Sequence, residues 1–207
     1  LLRDQAHITL FIGKKNSGKT NLLVSLLLDK RGYRDIYSKI IIVSPTFESQ
    51  KSTWGKISGE GIVVYKEFSE SVLEKIYNDQ QNNKGRALLV SDDNGDLKKI
   101  PQAILNKLVS NSRHLGGGLS IIVLLQKCSQ APTIVRAQAD SFVCFSACSI
   151  REQEILYQEI GILDKSTFTR IFRDATREQY NCLVVSIIAG KIRFFKNFHD
   201  EYVVSNK

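Results

Sequence analysis

The chain has 207 residues, 43% hydrophobic and 24% charged, enough apolar material for a sizeable core and ordinary for a globular protein. Lys and Arg number 29 against 21 Asp and Glu, a formal net charge of +8 that suits a polyanionic partner such as nucleic acid without requiring one. No apolar run approaches the ~18 residues of a membrane span, so no membrane insertion is expected, and Leu1–Arg3 has neither the basic start nor the long apolar stretch of a signal peptide.

His7–Ile12 is an apolar run of strand length. Asn21–Asp29 then places Leu22, Leu23, Leu26 and Leu27 on one helical face, with Gly32 as a stop signal. Lys39–Val43, closed by Ser44-Pro45, predicts a second strand, and Gly61–Tyr65 a short third. Ser71 and Glu74 fit a capping box ahead of Val72, Leu73, Ile76 and Tyr77. Ala87–Val90 reads as a buried strand, and Pro101 opens a helix carrying Ile104, Leu105, Leu108 and Val109. Leu119–Leu125 and Ser141–Phe145 are two further strands. Beyond Ile150 the order changes: helical segments at Gln153–Ile160 and Ser166–Arg173 precede strands at Cys182–Ile188 and Lys191–Phe195, joined as a hairpin through Ala189-Gly190. The alternation predicts an α/β fold with a mostly parallel sheet covered on both faces. One domain over residues 1–207 is expected, with its core at about 1–150 and an extension at 151–207. Cys128, Cys144, Cys148 and Cys182 form no C-x-x-C pair and read as buried free thiols.

The chemistry starts at Gly13-Lys14-Lys15-Asn16-Ser17-Gly18-Lys19-Thr20, which matches the P-loop pattern in full. Wrapping a triphosphate needs backbone N–H groups at close range, and glycine permits the tight turn. The loop lies between an apolar strand and an amphipathic helix, whose positive dipole end would face the anion. Lys19 is then expected to reach the β- and γ-phosphates of ATP, and the Thr20 hydroxyl to ligate Mg²⁺. The second element is Leu88-Leu89-Val90-Ser91-Asp92-Asp93, an apolar strand ending in an acid pair. Asp92 is expected in the Mg²⁺ shell and Asp93 as the group that orients or deprotonates the attacking water. Two solvated aspartates ahead of an Asn94-Gly95 turn are the plainer alternative. Asp92-Asp93-Asn94-Gly95 also fits the D-x-x-G string of GTPase switch loops, but the N-K-x-D string that reads guanine is absent.

Gln126 ends the strand Leu119–Leu125 and would face the γ-phosphate if that strand lies beside the acid-bearing one; a polar strand end is the alternative. Transferring a phosphoryl group also calls for an arginine, often from a neighbouring subunit. Arg113, in the Arg113-His114 pair before Gly116-Gly117-Gly118, and Arg136 are the two candidates, and a structural ion pair suits either equally well. The three glycines predict a flexible loop.

Taken in order, FIGKKNSGKT, IIIVSPT with the following Gln50, LLVSDD, Arg113-His114, SIIVLLQ and PTIVRAQADSFVCF resemble the poxvirus-type virion DNA-packaging ATPases of the FtsK–HerA superfamily, over Ile8–Phe145. The resemblance implies a RecA-like P-loop NTPase core in which another strand separates the acid-bearing strand from the P-loop strand. It implies a homo-oligomeric ring, a pentamer or hexamer, that drives double-stranded DNA into a capsid at its portal vertex, in the host cytoplasm, a viral factory or the virion. ATP would sit between subunits. Lys19 and Thr20 would bind phosphate and Mg²⁺, Asp92 and Asp93 would serve as metal and base residues, and Gln126 as sensor. Arg113 or Arg136 would act in trans. DNA contact would fall to pore-facing loops, with Lys98, Lys99 and Lys107 as candidates against a plain solvated basic face. A nucleotide switch, a small-molecule kinase and a non-catalytic assembly component are the competing classes; the kinase lacks a recognisable arginine-rich lid.

Overall fold

The computed structural model describes residues 5–57, 59, 61–146, 149–160 and 163–204. Strand β1 (Ile8–Ile12) leads into helix α1 (Lys19–Leu28), then β2 (Lys39–Val43), a short α2 (Lys51–Trp54) and β3 (Ile62–Tyr65). Helix α3 (Glu70–Asn82), β4 (Ala87–Asp92), α4 (Gln102–Asn111), β5 (Leu119–Leu125), α5 (Thr133–Ala137) and β6 (Ser141–Phe145) continue the alternation. Helices α6 (Ile150–Ile160) and α7 (Lys165–Ala175) precede β7 (Cys182–Ile188), β8 (Lys191–Lys196) and β9 (Asp200–Tyr202).

The nine strands among the described residues join one sheet in the order β3-β2-β4-β5-β1-β6-β7-β8-β9. Pairs from β3 to β6 are parallel, and β7, β8 and β9 add antiparallel strands at one side. The expected insertion holds: β5 lies between the acid-bearing β4 and the P-loop strand β1. Strands buried on both faces must be apolar throughout, and their residues alternate between two cores. Ile8, Leu10 and Ile12 of β1, with Ile121, Val123 and Leu125 of β5, pack beneath α3 to α7. Phe11, Ile122 and Leu124 point the other way, towards Leu23, Val24 and Leu27 of α1 and Trp54 of α2.

Several local expectations need correction. The cap of α3 is Ser69, not Ser71: Ser69 is still extended and its Oγ accepts from Val72 N at 3.2 Å, which leaves Ser71 inside the first turn. Helix α1 closes at Asp29 rather than Gly32, because the Asp29 N–H takes the Ser25 carbonyl and the chain then turns. The acid-bearing strand runs on to Asp92, and β9 adds a strand beyond the expected hairpin. Cys128, Cys144 and Cys182 are buried, while Cys148 lies outside the described residues.

The glycine run is a packed turn, not a flexible loop. Gly116 has φ +52°, and a Cβ there would stand 2.1 Å from Asn83 O and 2.3 Å from Gln80 O. The buried Gln80 amide donates to Gly85 O, Leu115 O and Gly118 O, locking the turn to the end of α3. Backbone approaches backbone at Gly116 and Gly117, and Gly118 takes φ +98°, so all three positions call for glycine. Gly116→Ala should therefore cost roughly 2–4 kcal/mol through left-handed strain and steric conflict, to be read as a lower urea midpoint with an unchanged slope.

Candidate active site

The carboxyl ends of β1, β4 and β5 converge on one cleft of about 330 Å³, lined by the loop after β1, the acid pair after β4, Gln126 after β5, and Thr46, Ser49, Gln50 and Thr53 after β2. This is where an open parallel sheet presents its ligand sites: each strand turns into its loop on the same side.

The loop after β1 is shaped to wrap an anion. Gly13 N donates to Leu125 O at 3.0 Å, fixing the loop to β5. A Cβ on Gly13 would lie 2.6 Å from Ser17 Oγ and 2.8 Å from Phe145 Cβ, so only glycine fits. Gly18 caps α1 with φ +96° and Asn16 takes φ +63°. Helix α1 starts with no side-chain cap and no acidic residue in its first turn, which leaves its first N–H groups to a ligand. Ser17 Oγ is buried without a hydrogen-bond partner among the described residues. Lys19 Nζ donates to the loop's own carbonyls, Gly13 O at 2.6 Å and Lys14 O at 2.9 Å. A cradle that excludes side chains, an orphaned hydroxyl and an ammonium folded onto the loop together fit a polyphosphate.

The acid pair divides by environment. Asp92 is 3% exposed and faces the Thr20 hydroxyl at 3.4 Å and 3.5 Å. Burial, and then the neighbouring Asp93 charge, push its carboxyl up to about 6, against the pull of Lys19 and Thr20. A buried hydroxyl beside a buried carboxylate is a donor set for a hard divalent cation such as Mg²⁺, completed by phosphate and water oxygens. Asp93 stands half-buried with φ +55°, which aims it away from the strand and into the cleft. Gln126 Nε2 reaches Asp93 Oδ1 at 3.4 Å. The juxtaposition expected from adjacent β4 and β5 is thus present.

The two arginines are not in the cleft. Arg113 pairs with Asp140, whose other oxygen accepts from Ile8 N at 2.8 Å, so it lies at the amino ends of β1 and β6, a strand's length from the P-loop. Arg136, on α5, is bound to Glu159 at 2.8 Å and to Ala131 O at 3.2 Å, with only 14% of its side chain exposed. Of the candidate lysines, Lys98 and Lys99 are exposed just past the acid loop, whereas Lys107 stacks over the Tyr77 ring at 4.3 Å.

Sequence patterns did not mark Asn94 as more than a turn residue, yet its Nδ2 donates to Val43 O at 2.6 Å, Ser91 Oγ at 3.1 Å and Asp92 O at 3.2 Å. That side chain ties the acid loop to β2. Thr46 and Gln50, bonded to each other at 2.9 Å, form the opposite wall. The polar run following the apolar strand β2 was the available signal, since polar residues gather where a parallel strand ends at a site.

Compared with known proteins, the chain matches the family model described as Poxvirus A32 protein over residues 1–207. No curated protein matches it. Among solved structures, it is similar to B204, the DNA-packaging ATPase from Sulfolobus Turreted Icosahedral Virus, with a TM-score of 0.69 and 20% identity over 93% of this chain and 98% of that one. It is also similar to the genome-packaging NTPase B204 from Sulfolobus turreted icosahedral virus 2 in complex with ATP-gammaS (TM-score 0.64, 20% identity, 91% and 96% covered). ATPases 2 and 3 of EssC from Geobacillus thermodenitrificans match at a TM-score of 0.56 and 11% identity, over 86% of this chain and 37% of that one. These likenesses show a P-loop NTPase fold.

The raised Asp92 carboxyl has a consequence for stability. A carboxyl whose folded value exceeds its unfolded one favours folding below the unfolded value, and that advantage is lost as pH rises through the folded value. Between about pH 4 and 6 the native state is therefore progressively penalised, and the penalty is complete at neutral pH. Asp92→Asn should raise the metal-free melting temperature at pH 7.5 by about 5 °C, and the gain should vanish near pH 4 in differential scanning calorimetry.

Proposed function

The chain belongs to the poxvirus A32 protein family, and on that premise we propose that it is an ATP-hydrolysing motor that drives double-stranded DNA into a viral capsid. The observation that carries this is the meeting, in one cleft, of Lys19 and Thr20 from the P-loop with Asp92 and Asp93 from β4 and Gln126 from β5. Of the two B204 proteins with which the fold is shared, one is named a DNA-packaging ATPase and the other, from virus 2, a genome-packaging NTPase seen with ATP-gammaS.

Each residue has a chemical task. The N–H groups of the loop and of the start of α1 hold the phosphates. Lys19 exchanges the Gly13 and Lys14 carbonyls for the β- and γ-phosphate oxygens. Thr20 and Asp92 hold Mg²⁺, which when bound neutralises phosphate charge as a Lewis acid. Asp93 accepts a proton from the water that attacks the γ-phosphorus, as the bond to the ADP oxygen breaks. Gln126, already against Asp93, orients that water. Asn94 holds the pair in register by fixing its loop to β2.

Among the described residues the cleft is lined by no arginine, so the charge of the transferring phosphoryl is met from a neighbouring copy in a homo-oligomeric ring, a pentamer or hexamer. Arg113 and Arg136 are the donors to consider. Arg113 suits the role better: its side chain is 52% exposed, whereas that of Arg136 is enclosed with Glu159. Lys98 and Lys99 lie on the cleft side of the sheet and would meet DNA phosphates in the pore. The ring would act at a capsid portal, in the host cytoplasm, a viral factory or the virion. No helix among the described residues is long and apolar enough to cross a membrane.

The test is ATP turnover with and without double-stranded DNA for the full chain, Lys19→Ala and Asp93→Asn. Turnover should rise several-fold with DNA and fall by roughly 10²-fold or more in both variants, with nucleotide binding retained in Asp93→Asn and weakened in Lys19→Ala. Turnover indifferent to DNA, or unchanged in Asp93→Asn, would count against the motor.

A further inference from the structure

The P-loop has two sides, and only one is used by the phosphate chemistry. Asp92, Asp93 and Gln126 place the γ-phosphate end in the cleft described above. The other end of a nucleotide must leave past Gly18, which lines a second cavity of about 620 Å³. Leu22 and Leu26 of α1, Phe145 at the end of β6, Tyr180 ahead of β7, and Phe198 between β8 and β9 form its apolar walls. The fold explains the convergence. Strand β7 runs antiparallel to β6, with Cys182 opposite Phe145, so the turn before β7 arrives beside the P-loop.

The backbone around this cavity is strained. Tyr180 has φ +68°, Phe198 +72° and Asn197 +52°. Bulky residues rarely occupy the left-handed region, which costs about 1–3 kcal/mol per residue, and glycine would relieve it. Yet Tyr180 is 61% exposed, so no core packing accounts for the aromatic ring. Its Cδ1 lies 3.2 Å from the position of a Cβ on Gly18, directly against the phosphate loop. A strained, exposed aromatic held at the exit of a phosphate cradle is placed for a flat ligand.

We propose that this cavity takes the nucleobase and ribose of the bound nucleotide, with Tyr180 as stacking platform and Phe198 as a second aromatic wall. This rests on the ATPase reading above. Among the polar groups nearby, Asn197, Asn181 and Asp29 are already engaged. Asn197 Nδ2 donates to Asn181 Oδ1 at 2.9 Å, and Asn197 Oδ1 accepts from Cys182 N at 2.9 Å. Asn181 Nδ2 donates to Glu178 Oε2 at 3.2 Å. Asp29, the acid that could pair with the guanine edge, is bound through both oxygens to Arg31. Recognition therefore comes from stacking, which every purine face satisfies. The site binds ATP and GTP with similar affinity.

Calorimetric titration of the full chain with Mg-ATP, Mg-GTP and Mg-tripolyphosphate tests this, beside Tyr180→Ala, Tyr180→Gly and Tyr180→Phe. ATP and GTP should bind the unaltered chain within about threefold of each other. Tyr180→Ala and Tyr180→Gly should weaken both by about tenfold or more and leave tripolyphosphate unchanged, while Tyr180→Phe binds normally. The melting temperature of Tyr180→Gly should equal or exceed that of the unaltered chain, which separates lost stacking from lost folding. Nucleotide affinity untouched by Tyr180→Ala, equal loss of tripolyphosphate, or a purine preference beyond about thirtyfold would overturn the proposal. An unaltered chain that binds tripolyphosphate but gains nothing from a base would overturn it while sparing the phosphate site. Failure to bind any of the three would overturn the ATPase reading and this proposal together.

Discussion

Asp92 ends a buried strand with its carboxyl almost sealed from water, and an anion there is costly unless it is met by positive charge and hydrogen bonds. Lys19 and the Thr20 hydroxyl offset part of that cost; burial and Asp93 outweigh them. On the proposed reading, a divalent cation arriving with its phosphates would relieve the residual imbalance. Much of the remaining architecture serves to keep this arrangement in place. Strand β5 sets the spacing between the P-loop strand and the acid-bearing strand. Asn94 pins the loop after β4 to β2, and Trp54, itself fully buried, packs in the core with Leu23 and Val24 of α1.

The elements that were legible in the sequence are those whose signal is local. Strands β2, β5, β6 and β7 have the expected bounds because each is an apolar run closed by a turn residue or a polar group. The P-loop was legible because its glycines answer a steric demand that few other turns make. What remained hidden depends on tertiary contact. The choice between Ser69 and Ser71 as cap is set by where the chain leaving β3 stops being extended. Gly116-Gly117-Gly118 reads as looseness until Gln80 and Asn83 are seen packed against it. The roles open to Arg113 and Arg136 could not be weighed from spacing, since Asp140 and Glu159, their partners, are distant in sequence.

The C-terminal strands belong to the same site, although nothing in their pattern suggests chemistry. By extending the sheet antiparallel to β6 they return the chain to the P-loop. Five of the seven left-handed non-glycine residues among the described ones follow the same map, Asn16 and Asp93 on the γ-phosphate side and Tyr180, Asn197 and Phe198 on the other, while Asp35 and Ala189 lie elsewhere. Strain is concentrated around the nucleotide path, where the surrounding sheet is rigid enough to hold it.

A cleft that splits ATP becomes a packaging motor only if turnover moves DNA. The most direct measurement is ATP-dependent displacement of a triplex-forming strand from a double-stranded DNA by the full chain. A motor displaces the third strand with ATP, and fails to do so with a non-hydrolysable analogue or with Asp93→Asn. Sustained ATP turnover on the same DNA with the triplex left intact would contradict the assignment.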